Sequence, residues 1–279
     1  MNFRCVGPNL GPTVIFESGF AATSTEWLKV LPVVAQHHRA CAYDRAGMGW
    51  SDFGPLPRDG EAIARDLDAA LRAGHIPGPY VLVGHSAGGL YARLFARLRP
   101  RAVIGMVLVD PSVEHQDKRI SAAFGYGAGS LSPLIERARA CAAAASKGVL
   151  PSASPALMRC GPLPGASPEA RRAALSASNW RTQESEAATL MGATSDEIDD
   201  DGPSLGAMPL IVLTAQNGQD PSIDRGEALW AELHRETAAR SSRGSAQLVP
   251  RSTHMIMFDR PDVIVAAINE VIAANAGNH

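Results

Sequence analysis

The sequence has no long apolar run and almost no net charge. None of its hydrophobic stretches approaches the ~20 residues needed to cross a membrane, and its first residues, 1–5, lack the apolar core of a signal peptide. Its 26 basic and 28 acidic residues give a formal net charge of −2, so no strong field attracts nucleic acid or an anionic membrane. These absences predict a soluble protein with no nucleic-acid partner and no stable membrane insertion.

Metal-binding spacings are also missing. The chain has eight histidines and four cysteines, and neither set is spaced as in a zinc site. The acidic run at 196–201 is interpreted as a solvated face, because its spacing implies no ligand geometry. The sequence therefore predicts no metal and no cofactor.

Apolar strands alternate with amphipathic helices along most of the chain. Strands are predicted at 2–6, 13–17, 39–43, 80–83, 103–109, 209–215 and 246–249. The most regular helices are predicted at 59–73, after residue 86 as far as Pro100, and at 262–274. This order predicts an α/β fold with a doubly wound, mostly parallel sheet, which binds ligands at the carboxyl ends of its strands.

The alternation stops between residues 111 and 208. This stretch is rich in Ala, Ser, Arg, Gly and Pro, with helical segments predicted at 133–146 and 168–191. Its scattered Leu, Ile, Met and Trp residues need a surface on which to pack, which argues against a disordered linker. The sequence thus predicts a core made of 1–110 and 209–279 and an inserted helical cap at 111–208.

The strand that ends near residue 83 breaks into Gly84-His85-Ser86-Ala87-Gly88-Gly89, a G-x-S-x-G turn. A strand that turns at once into a helix forces its central residue into a strained conformation, which only small neighbours tolerate. That geometry exposes the hydroxyl of Ser86 beside the N–H groups at the start of the next helix. Ser86 is therefore the predicted nucleophile, and Ala87 supplies one predicted oxyanion donor.

The loop after the second strand, Ser18-Gly19-Phe20, is the predicted site of the other donor, the N–H of Phe20. Just beyond it, Thr23 and Glu26 fit a capping box for a helix that carries Trp27. The pair Asp44-Arg45 is interpreted as a hydrogen-bonded turn that holds neighbouring loops, and not as a catalytic pair.

The predicted base is His254, which lies in a loop between the last strand and the last helix. A serine hydroxyl is a poor nucleophile at neutral pH, so a histidine must take its proton and return it to the leaving group. His85 is interpreted as structural.

With these residues in place the chain resembles the α/β-hydrolase superfamily, and within it the capped serine esterase and lipase-like branch. The resemblance covers nearly the whole chain and depends on four stretches, 43–51, 84–89, 107–110 and 253–261. Many members carry His-Gly before the oxyanion residue, whereas this chain has Ser18-Gly19. The serine at position 86 argues against a dehalogenase or epoxide hydrolase, since the resembling members of those classes use a carboxylate nucleophile.

The superfamily uses two positions for the acid that orients the histidine. Asp110 ends the strand after the nucleophile strand and is the preferred candidate. Asp220 or Asp224 would fill the other position, after Ala215, although the segment 216–219 sets Asp220 further from its strand than the common pattern.

The resemblance implies hydrolysis of a small-molecule carboxylic ester through an acyl-enzyme. Lactonase, amidase and carbon–carbon bond hydrolase remain open, as do acyl transfer to an alcohol and a ligand sensor that turns over slowly. If the strand order is that of the superfamily, Cys5 and Cys41 lie on neighbouring strands, while Cys141 and Cys160 share the cap. Two disulfides or four thiols are both compatible with this pattern, so a cytoplasmic location is the default and export the alternative.

Overall fold

The computed structural model describes residues 1–150, 154, 157–161, 168–199, 205–217 and 225–276. Within these residues the strands are β1 (Asn2–Val6), β2 (Thr13–Glu17), β3 (Ala40–Asp44), β4 (Tyr80–His85), β5 (Val103–Val109), β6 (Leu210–Gln216) and β7 (Gly244–Pro250). They form one sheet in the order β1-β3-β2-β4-β5-β6-β7. All neighbours are parallel except β1, which pairs antiparallel with β3. The predicted α/β class and mostly parallel sheet are confirmed.

From β2 onward, helices separate consecutive strands, as expected for parallel pairing. The α-helices are α1 (Leu31–Val34), α2 (Gly60–Ala73), α3 (Ala87–Leu98), α4 (Gln116–Phe124), α5 (Ser132–Ser146), α6 (Pro168–Leu175), α7 (Ala177–Leu190), α8 (Ala193–Asp199), α9 (Arg225–Ala238), α10 (Ile256–Asp259) and α11 (Pro261–Ala276). Short 3-10 helices lie at Ser24–Trp27 and Met158–Cys160. Helices α4 to α8 all lie between β5 and β6 in the chain. None of the helices described is both long and apolar enough to cross a membrane.

The sheet is covered on both faces. All residues of β2 and β3 are buried, and their side chains alternate between the two faces. Ile15 belongs to the apolar cluster that includes residues of α2 and α3. Val14 and Phe16 belong to the cluster that includes residues of α1 and α11. This double coverage explains why the inner strands, β2 to β6, are largely apolar in the sequence, whereas the edge strands β1 and β7 are not.

Two local predictions of helical structure are wrong in detail. The side chain of Thr23 makes no capping hydrogen bond. The residues after it form the 3-10 helix Ser24–Trp27 and then the four-residue α1. Glu26 is buried and its carboxylate accepts a hydrogen bond from the N–H of Gly19 instead of from its own helix start. The predicted helix at 168–191 is two helices, because Ser176 caps a new start by accepting from the N–H of Asn179.

Both cysteine pairs are bonded. Cys5 and Cys41 are directly opposite each other on β1 and β3, and they form a disulfide. Cys141 of α5 is bonded to Cys160, beside Trp180 in a small apolar cluster between α5 and α7. The second bond therefore joins two parts of the segment between β5 and β6.

Glu114, in the loop between β5 and α4, is expected to make stability depend on pH. Its carboxylate accepts from Arg93 at 2.6 Å and from Arg240 at 2.7 Å. Burial acts to raise the pKa of Glu114, but the hydrogen bond and charge of Arg93, with the charge of Arg240, lower it to about 2. Unfolding returns this pKa to its ordinary value of 4.5, so the stabilisation is complete above that pH and is lost as the pH falls toward 2. The loss amounts to about 3 kcal/mol.

Urea denaturation of the wild type and Glu114→Gln between pH 7 and pH 2 tests this prediction. The wild type should be more stable at pH 7, and the gap between the two unfolding free energies should shrink as the pH falls. A gap that stays constant across this range would contradict it.

Candidate active site

The turn between β4 and α3 holds Ser86 in a strained conformation. Its backbone has φ 51° and ψ −125°, a conformation that residues other than glycine rarely adopt. The turn requires glycine on both sides, because a Cβ on Gly84 would lie 2.6 Å from the carbonyl oxygen of Gly88. A Cβ on Gly88 would lie 2.5 Å from the carbonyl oxygen of Glu17. The small residues in the sequence are thus a steric condition for the turn.

Two backbone N–H groups near Ser86 make no hydrogen bond within the described residues. Ala87 begins α3, so its N–H has no intrahelical acceptor. Within the described residues neither the N–H of Ala87 nor that of Phe20 donates to a protein group. The loop that carries Phe20 approaches the turn closely, since a Cβ on Gly19 would lie 3.3 Å from the Cβ of Ser86.

Asp110 and His254 are hydrogen-bonded. The Nδ1 of His254 lies 2.6 Å from Oδ2 of Asp110, and Oδ1 of Asp110 accepts from the N–H of Ala215 at 2.8 Å. Burial acts to raise the pKa of Asp110, but these two hydrogen bonds hold the pKa below its ordinary value. Asp110 is therefore an acceptor, and the proton of a neutral His254 lies on Nδ1, which leaves Nε2 free to accept. The alternative acids Asp220 and Asp224 lie outside the described residues.

The loop that carries His254 is fixed on both sides of the histidine. On one side, the N–H and hydroxyl of Thr253 both donate to Asp259, at 2.8 and 2.7 Å. On the other, the carbonyl oxygen of His254 lies 3.0 Å from Nε2 of His85. The imidazole itself remains half-exposed, so it is accessible from the cavity beside it.

One cavity of about 470 Å³ brings the three side chains together. Ser86, Asp110 and His254 all line it, with Pro111, Ser112, Gln116, Ala215, Asn217, Glu227, Trp230, Ser252 and Thr253. Behind it, His234 is fully buried, and its Nε2 lies 2.9 Å from the carbonyl oxygen of Pro111. Burial lowers the pKa of His234, so this side chain is a neutral support for the loop after β5. Sequence patterns did not single it out.

Arg45 links the loop after β2 to the helices between β5 and β6. Its guanidinium donates to the carbonyl oxygens of Ser18 and Gly19, at 2.6 and 2.8 Å, and to Glu17 at 2.9 Å. It also makes a bidentate ion pair with the carboxylate of Glu186 on α7, at 2.9 and 3.0 Å. Burial raises the pKa of Glu17 to about 7, although Arg45 opposes this.

Asp44 supports the same region by accepting from the N–H groups of Ser24 and Trp50, at 2.9 and 3.0 Å. The Asp44-Arg45 pair thus holds neighbouring loops, as its sequence suggested. In the part of the chain that the structure describes, no three His, Cys, Asp or Glu side chains are grouped to hold a metal ion.

Solved structures share this fold. The epoxide hydrolase CorEH is similar with a TM-score of 0.66 and 16% identity, over 98% of this chain and 94% of that one. A thermophilic esterase from Thermogutta terrifontis has a TM-score of 0.58 and 21% identity, over 98% and 93%. At these identities the likeness concerns the fold.

Sequence relatives match a shorter part. The Uncharacterized protein YqjL of Bacillus subtilis is 32% identical over 103 residues, which is 37% of this chain and 41% of that protein. This chain spans less than half of the length of the curated relatives it matches. The sequence pattern of the Alpha/beta hydrolase family, however, matches residues 14–267. Because that match includes both the Ser86 turn and the His254 loop, and most of the chain, the protein belongs to the alpha/beta hydrolase family.

Proposed function

We propose that this chain is a serine hydrolase that cleaves carboxylic esters of small molecules through an acyl-enzyme, without a cofactor. One observation carries the proposal: Ser86, Asp110 and His254 line one cavity, and His254 is hydrogen-bonded to an acceptor carboxylate through Nδ1. A carboxylate that holds an imidazole in this tautomer is the arrangement that activates a serine hydroxyl.

In the proposed reaction, Oγ of Ser86 attacks the ester carbonyl while Nε2 of His254 takes the hydroxyl proton. Collapse of the tetrahedral intermediate breaks the bond to the alcohol, which leaves with the proton that His254 returns. A water molecule then attacks the acyl-enzyme by the same route and releases the acid. Asp110 stays ionised throughout and stabilises the imidazolium that forms in each step.

The N–H groups of Ala87 and Phe20 are the proposed oxyanion donors. Both are unused within the described residues, and the N–H of Ala87 also lies at the positive end of the α3 dipole. Donors that are already in place as negative charge develops on the carbonyl oxygen stabilise the transition state without reorganisation.

We also propose that residues 111–208 form a helical cap over a core of 1–110 and 209–279. Two contacts support this division. Glu186 of α7 pairs with Arg45 of the core, and a second cavity of about 390 Å³ is lined by Trp180 and Gln183 of α7 and by Ala22 and Thr25 of the core. The cavity that contains Ser86 is also lined by both parts, since Pro111, Ser112 and Gln116 belong to 111–208.

The two disulfides favour an oxidising compartment for the working protein. Counting free thiols under denaturing conditions, with and without a reductant, tests this. We expect none before reduction and four after it in protein recovered from its native source. Four thiols before reduction would favour the cytoplasm.

Ester turnover tests the proposed function. We expect many turnovers per chain with p-nitrophenyl acetate and p-nitrophenyl butyrate, and much slower release from p-nitroacetanilide, because the anilide is a poorer leaving group. Tight binding of an ester with less than one turnover per chain would contradict the proposal and favour a ligand sensor instead.

A further inference from the structure

A second acid–histidine pair lies behind the candidate active site, and this one is buried. Oε1 of Glu26 is 2.9 Å from Nδ1 of His85, and the two side chains are 4% and 3% exposed. With side chains this buried, Glu26 and His85 are not a solvent-exposed surface ion pair. Buried ionisable groups need hydrogen-bond or charged partners, since their desolvation is costly.

The pair continues in both directions. Oε2 of Glu26 accepts from the N–H of Gly19 at 2.9 Å, and Nε2 of His85 lies 3.0 Å from the carbonyl oxygen of His254. The rings of His85 and His254 are 4.5 Å apart, centre to centre. A continuous hydrogen-bonded chain therefore runs from the loop of Phe20, through the residue before Ser86, to the backbone of His254.

The donors and acceptors in this hydrogen-bonded chain determine which of its atoms carry protons. A carbonyl oxygen only accepts, so Nε2 of His85 must carry a hydrogen to bond with His254. One further proton lies between Nδ1 of His85 and Oε1 of Glu26, because one of these two atoms must donate to the other. Any residue at position 26 that both donates to Nδ1 of His85 and accepts from the N–H of Gly19 would preserve these hydrogen bonds. Such a residue needs no net charge.

We propose that Glu26 and His85 are positioning residues for ester hydrolysis, which hold the backbone of His254 and the loop that carries Phe20 at fixed places relative to Ser86. This inference rests on the proposed function. Within the described residues, these two side chains hydrogen-bond to each other and to backbone atoms of Gly19 and His254, and to no side chain of the proposed triad. Their effect is geometric, and a displacement of about 1 Å in a reacting group can cost about 100-fold in rate.

The test compares Glu26→Ala, Glu26→Gln and Asp68→Ala in p-nitrophenyl butyrate hydrolysis. Asp68 is the matched control, because it is a largely buried carboxylate that pairs with Arg99 beyond the far end of α3. That helix has 12 residues, so its far end is ~18 Å from Ser86. The thermal midpoint of each variant is measured alongside kcat and KM.

We expect Glu26→Ala to lower kcat by about 10- to 100-fold and to change KM less than about threefold. Glu26→Gln should stay within about threefold of the wild type, because its amide donates to His85 and accepts from Gly19. Asp68→Ala should lower the thermal midpoint and leave kcat unchanged. A kcat for Glu26→Ala within threefold of the wild type, or a Gln variant as slow as the Ala variant, would overturn the proposal.

A measurement that needs no turnover separates this inference from the proposed function. In Ser86→Ala, ¹⁵N NMR of labelled histidines should show Nε2 of His85 protonated, and adding Glu26→Ala should change the His85 signals. If the wild type hydrolyses no ester, the proposed function fails, but this spectrum still shows whether the hydrogen-bonded chain is formed. An unprotonated Nε2 on His85 would refute it.

Discussion

Ser86→Ala is expected to lower kcat/KM for p-nitrophenyl acetate by at least about 10⁴-fold. The substitution removes the proposed attacking oxygen and leaves the cavity, the N–H groups of Ala87 and Phe20, and the Asp110–His254 pair in place. Any remaining hydrolysis would come from water in a site that still binds the transition state, and in serine hydrolases this is a small fraction of the rate. Steady-state kinetics under identical protein concentrations provides the measurement.

Ser146→Ala is the matched control, because Ser146 is exposed at the end of α5. Its activity should equal that of the wild type. If Ser86→Ala kept more than about a tenth of the wild-type rate, a different nucleophile would be at work and the mechanism would be wrong.

Asp110→Asn is expected to cost about 10⁴-fold in kcat with a small change in KM. The carboxylate accepts the Nδ1 hydrogen of His254. An amide that turns its NH₂ toward the ring instead stabilises the other tautomer, in which Nε2 carries the hydrogen and cannot take the serine proton. Steady-state hydrolysis of p-nitrophenyl butyrate measures the effect, and the fold should survive because the amide oxygen can still accept from Ala215.

Asp220→Asn is the comparison for this prediction, since position 220 is the alternative for the acid. We expect it to stay within a few-fold of the wild type. Should Asp220→Asn cause the larger loss, the acid would be Asp220, and the roles proposed for Ser86 and His254 would stand.

The order of strands and helices was predictable because it depends on local patterns. Parallel strands buried on both faces must be continuous apolar runs, and the helices between them carry apolar residues at helical spacing. The turn at Ser86 was predictable for a similar reason, since a strained turn between a strand and a helix allows few residue types. Asp110 could be ranked above Asp220 because it directly ends its strand.

Contacts between distant parts of the chain were not predictable. Thr23 and Glu26 fit a capping box, yet Glu26 binds His85, which is 59 residues away. A local cap competes with such long-range hydrogen bonds, and the sequence of one chain does not say which is made. The ion pair of Arg45 with Glu186 spans 141 residues. The Asp44-Arg45 motif indicated a structural turn, but nothing in it identified a partner on α7.

The proposed mechanism requires that Ser86 carries the acyl group during turnover. Rapid acid quenching of the wild type during p-nitrophenyl butyrate hydrolysis, followed by peptide mapping with mass spectrometry, detects that group. We expect one butyryl group on the peptide that contains Ser86, and none in Ser86→Ala. A butyryl group on another residue that forms and decays at the turnover rate would contradict it.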